Sequence, residues 1–223
     1  YPTLQKKHLT RKERRNISFM ETTFTWEIKV KNCPLLIKKC SHCDSDRFYC
    51  SDKFRMNAQK KNIDVWLIYR CVKCDNTCNL TLVSRSKPDL IDKSLFHSFS
   101  VNDKEAAWQY AFSAELERKN NMKLDYGSVE YEVISSISPE DIQNLSDEVI
   151  SIRIKCDFDF NLKLSSLVRR CLSLSANQVK RLFEQNAIST SASQPLQKQK
   201  VRNGDVILID REQFTKSFKE IAR

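Results

Sequence analysis

The sequence has 223 residues, is 40% hydrophobic and 30% charged, and sets 38 Lys and Arg against 28 Asp and Glu for a formal net charge of +10. That is enough for one large or two small domains with a real core, and it excludes a wholly disordered chain. Gly127 and Gly204 are the only glycines, which excludes Gly-rich phosphate loops; no apolar run approaches the ~20 residues of a membrane span and no secretory apolar segment follows the basic N-terminus, so the expectation is a cytoplasmic protein with no membrane partner.

Charge divides the chain: the net is +5 over residues 1–19, +5 over 33–85, −7 over 86–161 and +6 over 162–209. The basic leader, 1–19, contains Arg11-Lys12-Glu13-Arg14-Arg15, a run that purine codons alone can write, as in a ribosome-binding site. The expectation is that 1–19 is translated upstream sequence and that Met20 is the natural start; the alternative is a genuine basic arm. Either way it is set apart from the fold.

Nine cysteines in a cytoplasmic chain suggest metal ligands before disulfides. Cys40-Ser41-His42-Cys43 and Cys71-Val72-Lys73-Cys74 are two CxxC pairs with 27 residues between them. Each pair can turn both thiolates into one site, and two pairs make the tetrahedral sulfur cage that suits zinc. The stretch between them reads as strand, turn, strand. Phe54 and Met56 alternate within Lys53–Ala58, Gln59-Lys60-Lys61-Asn62 is the polar turn, and Ile63–Tyr69 is a β-rich apolar run centred on Trp66. Such a hairpin brings the second pair back beside the first, which is the logic of a zinc ribbon. Four protein ligands leave no open position, so the Zn²⁺ is expected to be structural. Cys33, Cys50 and Cys78 are read as small buried hydrophobes outside the ligand set, and His42 as a surface residue. The alternatives are four buried free thiols or a redox dithiol.

Trp26-Glu27-Ile28, the two CxxC pairs, Lys53-Phe54-Arg55-Met56-Asn57-Ala58 and Leu67-Ile68-Tyr69-Arg70-Cys71 together resemble a bacterial family of unknown function, domain of unknown function 1062, over roughly residues 24–85. Cys78 departs from that pattern, where an aromatic residue is expected after Thr77. The family name implies no reaction.

In the acidic middle, Asn102 is expected to cap a helix running to about Asn120, with Glu105 completing a capping-box-like pattern. Ser128–Ile134 reads as a strand. Ser138-Pro139-Glu140-Asp141 opens a short helix, with Ser as cap and Pro in the first turn. From Ile150 to Asn161 apolar and polar residues alternate, which predicts one long half-buried strand with Cys156 on its apolar face. Trp108 and Tyr110 are read as packing residues.

In residues 162–209, Leu167, Val168, Cys171 and Leu172 form one helical stripe and leave Arg169 and Arg170 outward or at its edge. Ser175 and Gln178 form a capping box for a second helix, with Val179, Leu182 and Phe183 inward and Asn177, Lys180 and Arg181 toward the other side. A polar stretch with Lys198 and Lys200 follows. Val201–Asp205 then gives a Gly turn into an apolar strand, Val206–Ile209. Lys163-Leu164-Ser165, Leu174-Ser175 and Arg202-Asn203-Gly204-Asp205-Val206-Ile207 together resemble the alpha-L RNA-binding fold named from small-ribosomal-subunit protein four. That resemblance implies recognition of structured RNA by Lys163, Arg169, Arg170, Asn177, Gln178, Lys180, Arg181, Lys198, Lys200 and Arg202. The sequence departs from it at Ala176, where Arg is common, at Asn186 for the usual Gly, and at Ser191-Ala192 for the usual Asn-Gly.

The whole is predicted to be α+β: a zinc-ribbon β-hairpin module over 20–85, a mixed α/β middle over 86–161, a small alpha-L-type RNA-binding domain over 162–210 and a helical tail over 211–223. The function expected is that of a non-enzymatic zinc-containing RNA-binding protein, with ribosomal RNA or tRNA as partner. The competing readings are an accessory of RNA modification or a protein-interaction and regulatory module with a degenerate RNA-binding domain. No catalytic residue is nominated: Cys156 and Cys171 read as core, and the histidines are only His8, His42 and His97.

Overall fold

The computed structural model describes residues 23–59, 61–190 and 198–221. The leader with its expected start at Met20, Lys60 of the hairpin turn, and Ser191-Ala192 lie outside the described residues. In chain order the elements are β1 (Thr23–Val30), β2 (Leu35–Ile37), β3 (Arg47–Gln59), β4 (Asn62–Cys71) and β5 (Thr77–Ser86). There follow α1 (Lys93–Val101), α2 (Lys104–Ala111), α3 (Ala114–Lys119), β6 (Lys123–Asp125), β7 (Tyr131–Ser135) and α4 (Pro139–Asn144). The last are β8 (Val149–Cys156), α5 (Leu164–Cys171), α6 (Ala176–Glu184), β9 (Ile188–Thr190), β10 (Val206–Asp210) and α7 (Arg211–Ile221). Helices and sheets together give the α+β class.

The strands form two five-stranded sheets, in the orders β5-β4-β3-β2-β6 and β7-β1-β8-β10-β9. The first is built on the predicted hairpin, in which β3 and β4 pair antiparallel from Phe48↔Cys71 to Gln59↔Asn62. On β4, Ile63, Val65, Leu67, Tyr69 and Cys71 are buried in strict alternation, as period 2 requires of a strand with one face on a core. In the second sheet β1 runs parallel to β8, with Trp26 opposite Ile154, and antiparallel to β7. The sheets cross the composition boundaries at 85 and 161. β1, from the cysteine-rich segment, lies between two strands of the acidic middle, while β6 of the middle closes the hairpin sheet.

The predicted helix over 102–120 is instead two helices after a third that the sequence did not announce. Asn102 is not an N-cap. It ends α1 in the left-handed region (φ 56°), and Asp103 caps α2 by accepting from Ala106 N. A second break falls at Ser113, whose hydroxyl accepts from Leu116 N and opens α3. Ser and Asp compete with helix propagation by bonding nearby backbone N–H groups, and here they win twice within eleven residues. The strand predicted over 128–134 is β7, shifted to 131–135. The strand predicted to Asn161 stops at Cys156, because the Asn203 side chain takes the Cys156 N–H (3.1 Å) in place of a strand partner. Phe158 and Phe160 keep their alternation but spend it on an aromatic cluster with Phe112 and Tyr131. Ser138 caps α4 as predicted, and Asp141 bonds back to the cap to complete a capping box.

With so little glycine, the chain makes its left-handed turns from Asp and Asn. Positive φ occurs at Asp52, Asp75, Asn102, Asn121, Asn161 and Asn186, and only at Arg85 and Ser173 among other non-glycine residues described. Short polar side chains tolerate that region best after glycine.

Candidate metal centre and basic surface

The two CxxC turns meet where β2 leads into β3 and β4 leads into β5. The sulfurs of Cys40, Cys43, Cys71 and Cys74 all lie within 4.8 Å of one another, with Cys40 3.6 Å from Cys74 and Cys43 3.6 Å from Cys71. A disulfide is about 2.05 Å long, whereas tetrahedral Zn–S bonds of about 2.3 Å set sulfurs roughly 3.8 Å apart. All nine cysteines are free, so the four-sulfur group has the size of a metal cage and can hold a metal ion. Backbone N–H groups support it: His42 N points at Cys40 Sγ (3.4 Å) and Lys73 N at Cys71 Sγ (3.5 Å). Burial opposes the Cys71 thiolate, but the Lys73 and Cys74 N–H groups outweigh it and bring that thiol down to about 6. The Cys40 thiol is likewise lowered, first by the His42 N–H. His42 itself is exposed, as the sequence implied.

Cys78 stands apart from this group and accepts a bond from Lys38 Nζ at 3.4 Å. Cys33 and Cys50, read from sequence as isolated buried hydrophobes, instead form a second group with Asp52. Burial, and then the thiols of Cys50 and Cys33, push the neighbouring Tyr69 hydroxyl well above its ordinary value. The sequence held one weak signal of this group, the Cys50-Ser51-Asp52 spacing. Nothing marked Cys33. Cys171 is driven up to about 12 by burial, and burial also raises Cys156, so neither thiol is activated as a nucleophile.

In the basic segment α5 and α6 turn Leu164, Leu167, Val168, Val179, Leu182 and Phe183 inward. The predicted box forms: Ser175 N donates to Gln178 Oε1 (2.6 Å) and Gln178 N to Ser175 Oγ (3.3 Å). Gln178 is thereby committed at its carbonyl to the cap. Lys163, Arg169, Arg170, Asn177, Lys180, Arg181, Lys198, Lys200 and Arg202 are exposed. Lys163, Arg169 and Lys180 line one open cleft of about 330 Å³ together with Ser165, Ser166, the exposed Ala176 and the buried Val179 and Phe183. The others are more scattered. The Arg170 guanidinium lies 4.8 Å over the Tyr131 ring, Lys200 bonds Asn161 Oδ1, and Arg202 sits in the turn before β10, its N–H held by Asp205 (2.9 Å). The entry to α5 is tied to the returning chain by Leu164 N to Gln199 O (2.9 Å) and Val201 N to Leu162 O (2.8 Å), so Lys163 and Lys200 stand side by side.

An α+β chain with a four-cysteine cluster and a basic helix pair is the class that fold and site define. The model of the family described as "Protein of unknown function (DUF1062)" matches residues 56–194, and the chain belongs to that family. The match takes in the second CxxC pair and both basic helices. No curated protein and no solved structure gives a significant match. Among the described residues no helix is long and apolar enough to cross a membrane.

Proposed function

We propose that this is a non-enzymatic, zinc-containing RNA-binding protein of the cytoplasm, which recognises structured RNA, ribosomal or transfer, through the α5–α6 surface. The observation that carries the reading is the one cleft that Lys163, Arg169 and Lys180 line together, within a segment of net charge +6. Converging Lys and Arg neutralise phosphates and set register, and the exposed Asn177 amide can bond a sugar or base edge. The only aromatic residue of residues 162–209, Phe183, is buried. Recognition of backbone and shape therefore suits the surface better than stacking of single-stranded bases. The resemblance of the segment to the alpha-L fold points the same way.

The four-sulfur group is assigned to Zn²⁺ as a zinc ribbon. Cys40, Cys43, Cys71 and Cys74 would hold it, and the ion would supply a structural cross-link between the β2–β3 and β4–β5 turns. Replacing Cys40 and Cys43 by Ser should remove one zinc per chain, read by plasma emission; unchanged zinc would overturn the assignment. For the RNA, sequencing of RNA crosslinked to the protein in cells should return ribosomal RNA or tRNA. A profile no richer than that of the Arg169, Arg170, Lys180, Arg181→Glu variant would refute it.

A further inference from the structure

We propose that Cys33, Cys50 and Asp52 form a second metal site, separate from the four-sulfur group, for a zinc-class divalent cation. Their Sγ and carboxylate atoms all lie within 4.8 Å of one another, although Cys33 comes from the loop after β1 and the other two from β3. A β-bulge between Cys50 and Lys53 interrupts the β3–β4 ladder, and Asp52 sits in it at φ 57°. Bulges re-aim side chains next to sites. This one is secured from the helical side: Asn102 Oδ1 accepts from Phe54 N (2.7 Å) and the Trp108 indole donates to Asp52 Oδ1 (3.0 Å).

A cluster held this way could be mere packing, but a second observation points to a ligand. Tyr69 is fully buried, and its hydroxyl has no hydrogen-bond partner among the described residues. It lies directly across the ladder from Cys50, so the two side chains share a face of the sheet. A buried hydroxyl without a partner is costly, whereas a metal-bound thiolate or a water on the metal would accept its proton. The indole on Asp52 is the kind of outer partner that fixes a ligating carboxylate. Two thiolates, one carboxylate and a dication leave one negative charge, and a cation stands nearby: the Lys104 ammonium lies 4.8 Å over the ring of Trp108, the same indole that donates to Asp52. Two soft sulfurs and one oxygen suit Zn²⁺ or Co²⁺ rather than Mg²⁺ or Ca²⁺, and three protein ligands leave a fourth position for water or a small ligand.

The test is metal titration of the full chain with Co²⁺ after chelation, read by thiolate-to-cobalt absorbance. About two ions per chain are expected, against about one when Cys33 and Cys50 are both Ala. The Cys40 and Cys43 replacements remove the other ion, so the two assignments stand or fall separately. If the Ala variant loses its fold, Asp52→Asn decides, since its amide oxygen still accepts from Trp108. Its second ion should bind more weakly by at least the roughly 10–100-fold that loss of an outer partner costs. One ion in the wild type with both thiols free, a Cys33–Cys50 disulfide, or an unweakened second ion in Asp52→Asn overturns the proposal.

Discussion

Replacing Arg169 and Lys180 together by Gln tests the cleft by its charge rather than by its shape. Both side chains are exposed, and both rim the cavity between α5 and α6. Each phosphate that a cation neutralises contributes about 0.7–0.9 to the slope of log affinity against log salt. Losing two should flatten that slope by about 1.4–1.8, which between 50 and 200 mM salt amounts to roughly a tenfold smaller loss of affinity. The fold should hardly notice. Arg169 is exposed, and Lys180 gives up an exposed pair with Glu184 at 3.6 Å, worth about 0.3–0.5 kcal/mol and about 1–2 °C in Tm. Filter binding of transcribed ribosomal RNA or tRNA at four salt concentrations measures the slope, with Lys29→Gln/Lys216→Gln as the control of equal charge outside the cleft. Equal flattening in both variants would mean that net charge, not this surface, holds the RNA.

Other consequences are open to simpler measurements. Ile154→Ala, at a fully buried position facing Trp26 in the middle of a sheet, should cost about 2–5 kcal/mol in urea unfolding; under 1 kcal/mol would mean that β1 and β8 do not pack as described. Ser138→Ala removes the hydroxyl and perturbs the cap bond that hold the Asp141 carboxyl below its ordinary value. A lowered carboxyl stabilises the fold above its unfolded pKa and stops doing so as pH falls through the folded one. In the variant the Asp141 carbon resonance should therefore titrate closer to the ordinary carboxylate range, and the acid limb of its stability curve should flatten. Cys171, raised to about 12 by burial, should resist iodoacetamide at neutral pH until the chain is unfolded, and rapid labelling would show that α5 opens. Acidification should release metal from the four-sulfur group, because protons compete for the thiolates; zinc retained after dialysis at pH 4 would argue against thiolate ligation.

The sequence exposed what is local and hid what is distant. The β3–β4 hairpin, the Ser138 cap, the Ser175 box and the meeting of the CxxC pairs each rest on residues close in the chain, or on a turn that returns it. The four cysteines could be named because chemistry restricts what two CxxC pairs do. The parallel pairing of β1 with β8 has no such signal: Trp26 and Ile154 are 128 positions apart, and either would fit any buried strand. Alternation predicts a strand running on past Cys156 because period 2 reports which side a residue faces, not whether a neighbouring backbone is there to bond. The helix over 102–120 failed through its polar residues, since the apolar spacing runs on across Ser113 and only the competition for N–H groups divides it.

Those hidden pairings bear on how the basic surface is held. The turn before β10 is fastened to β8 by Gly204 N to Ile154 O (2.9 Å) and Ile154 N to Asp205 O (2.8 Å), and β8 is itself the strand beside β1. Gly204 takes φ 85° with nothing within 4 Å of where a Cβ would stand, so a side chain there would meet backbone strain rather than a clash. Arg202 is thus carried on the turn into a sheet that includes β1, not on a separable tail. The +10 of the whole chain is a poor guide to a nucleic-acid surface, since +5 of it lies in residues 1–19. Four thiolates around one dication would take about two more from the cysteine-rich segment. What remains concentrated is the +6 of residues 162–209, of which α5 and α6 carry Arg169, Arg170, Lys180 and Arg181 against Glu184. Gly204→Ala should therefore weaken RNA retention along with stability, whereas Arg202→Gln should affect retention alone. Loss of stability in Arg202→Gln, measured by urea unfolding, would show that this arginine serves the turn rather than the RNA.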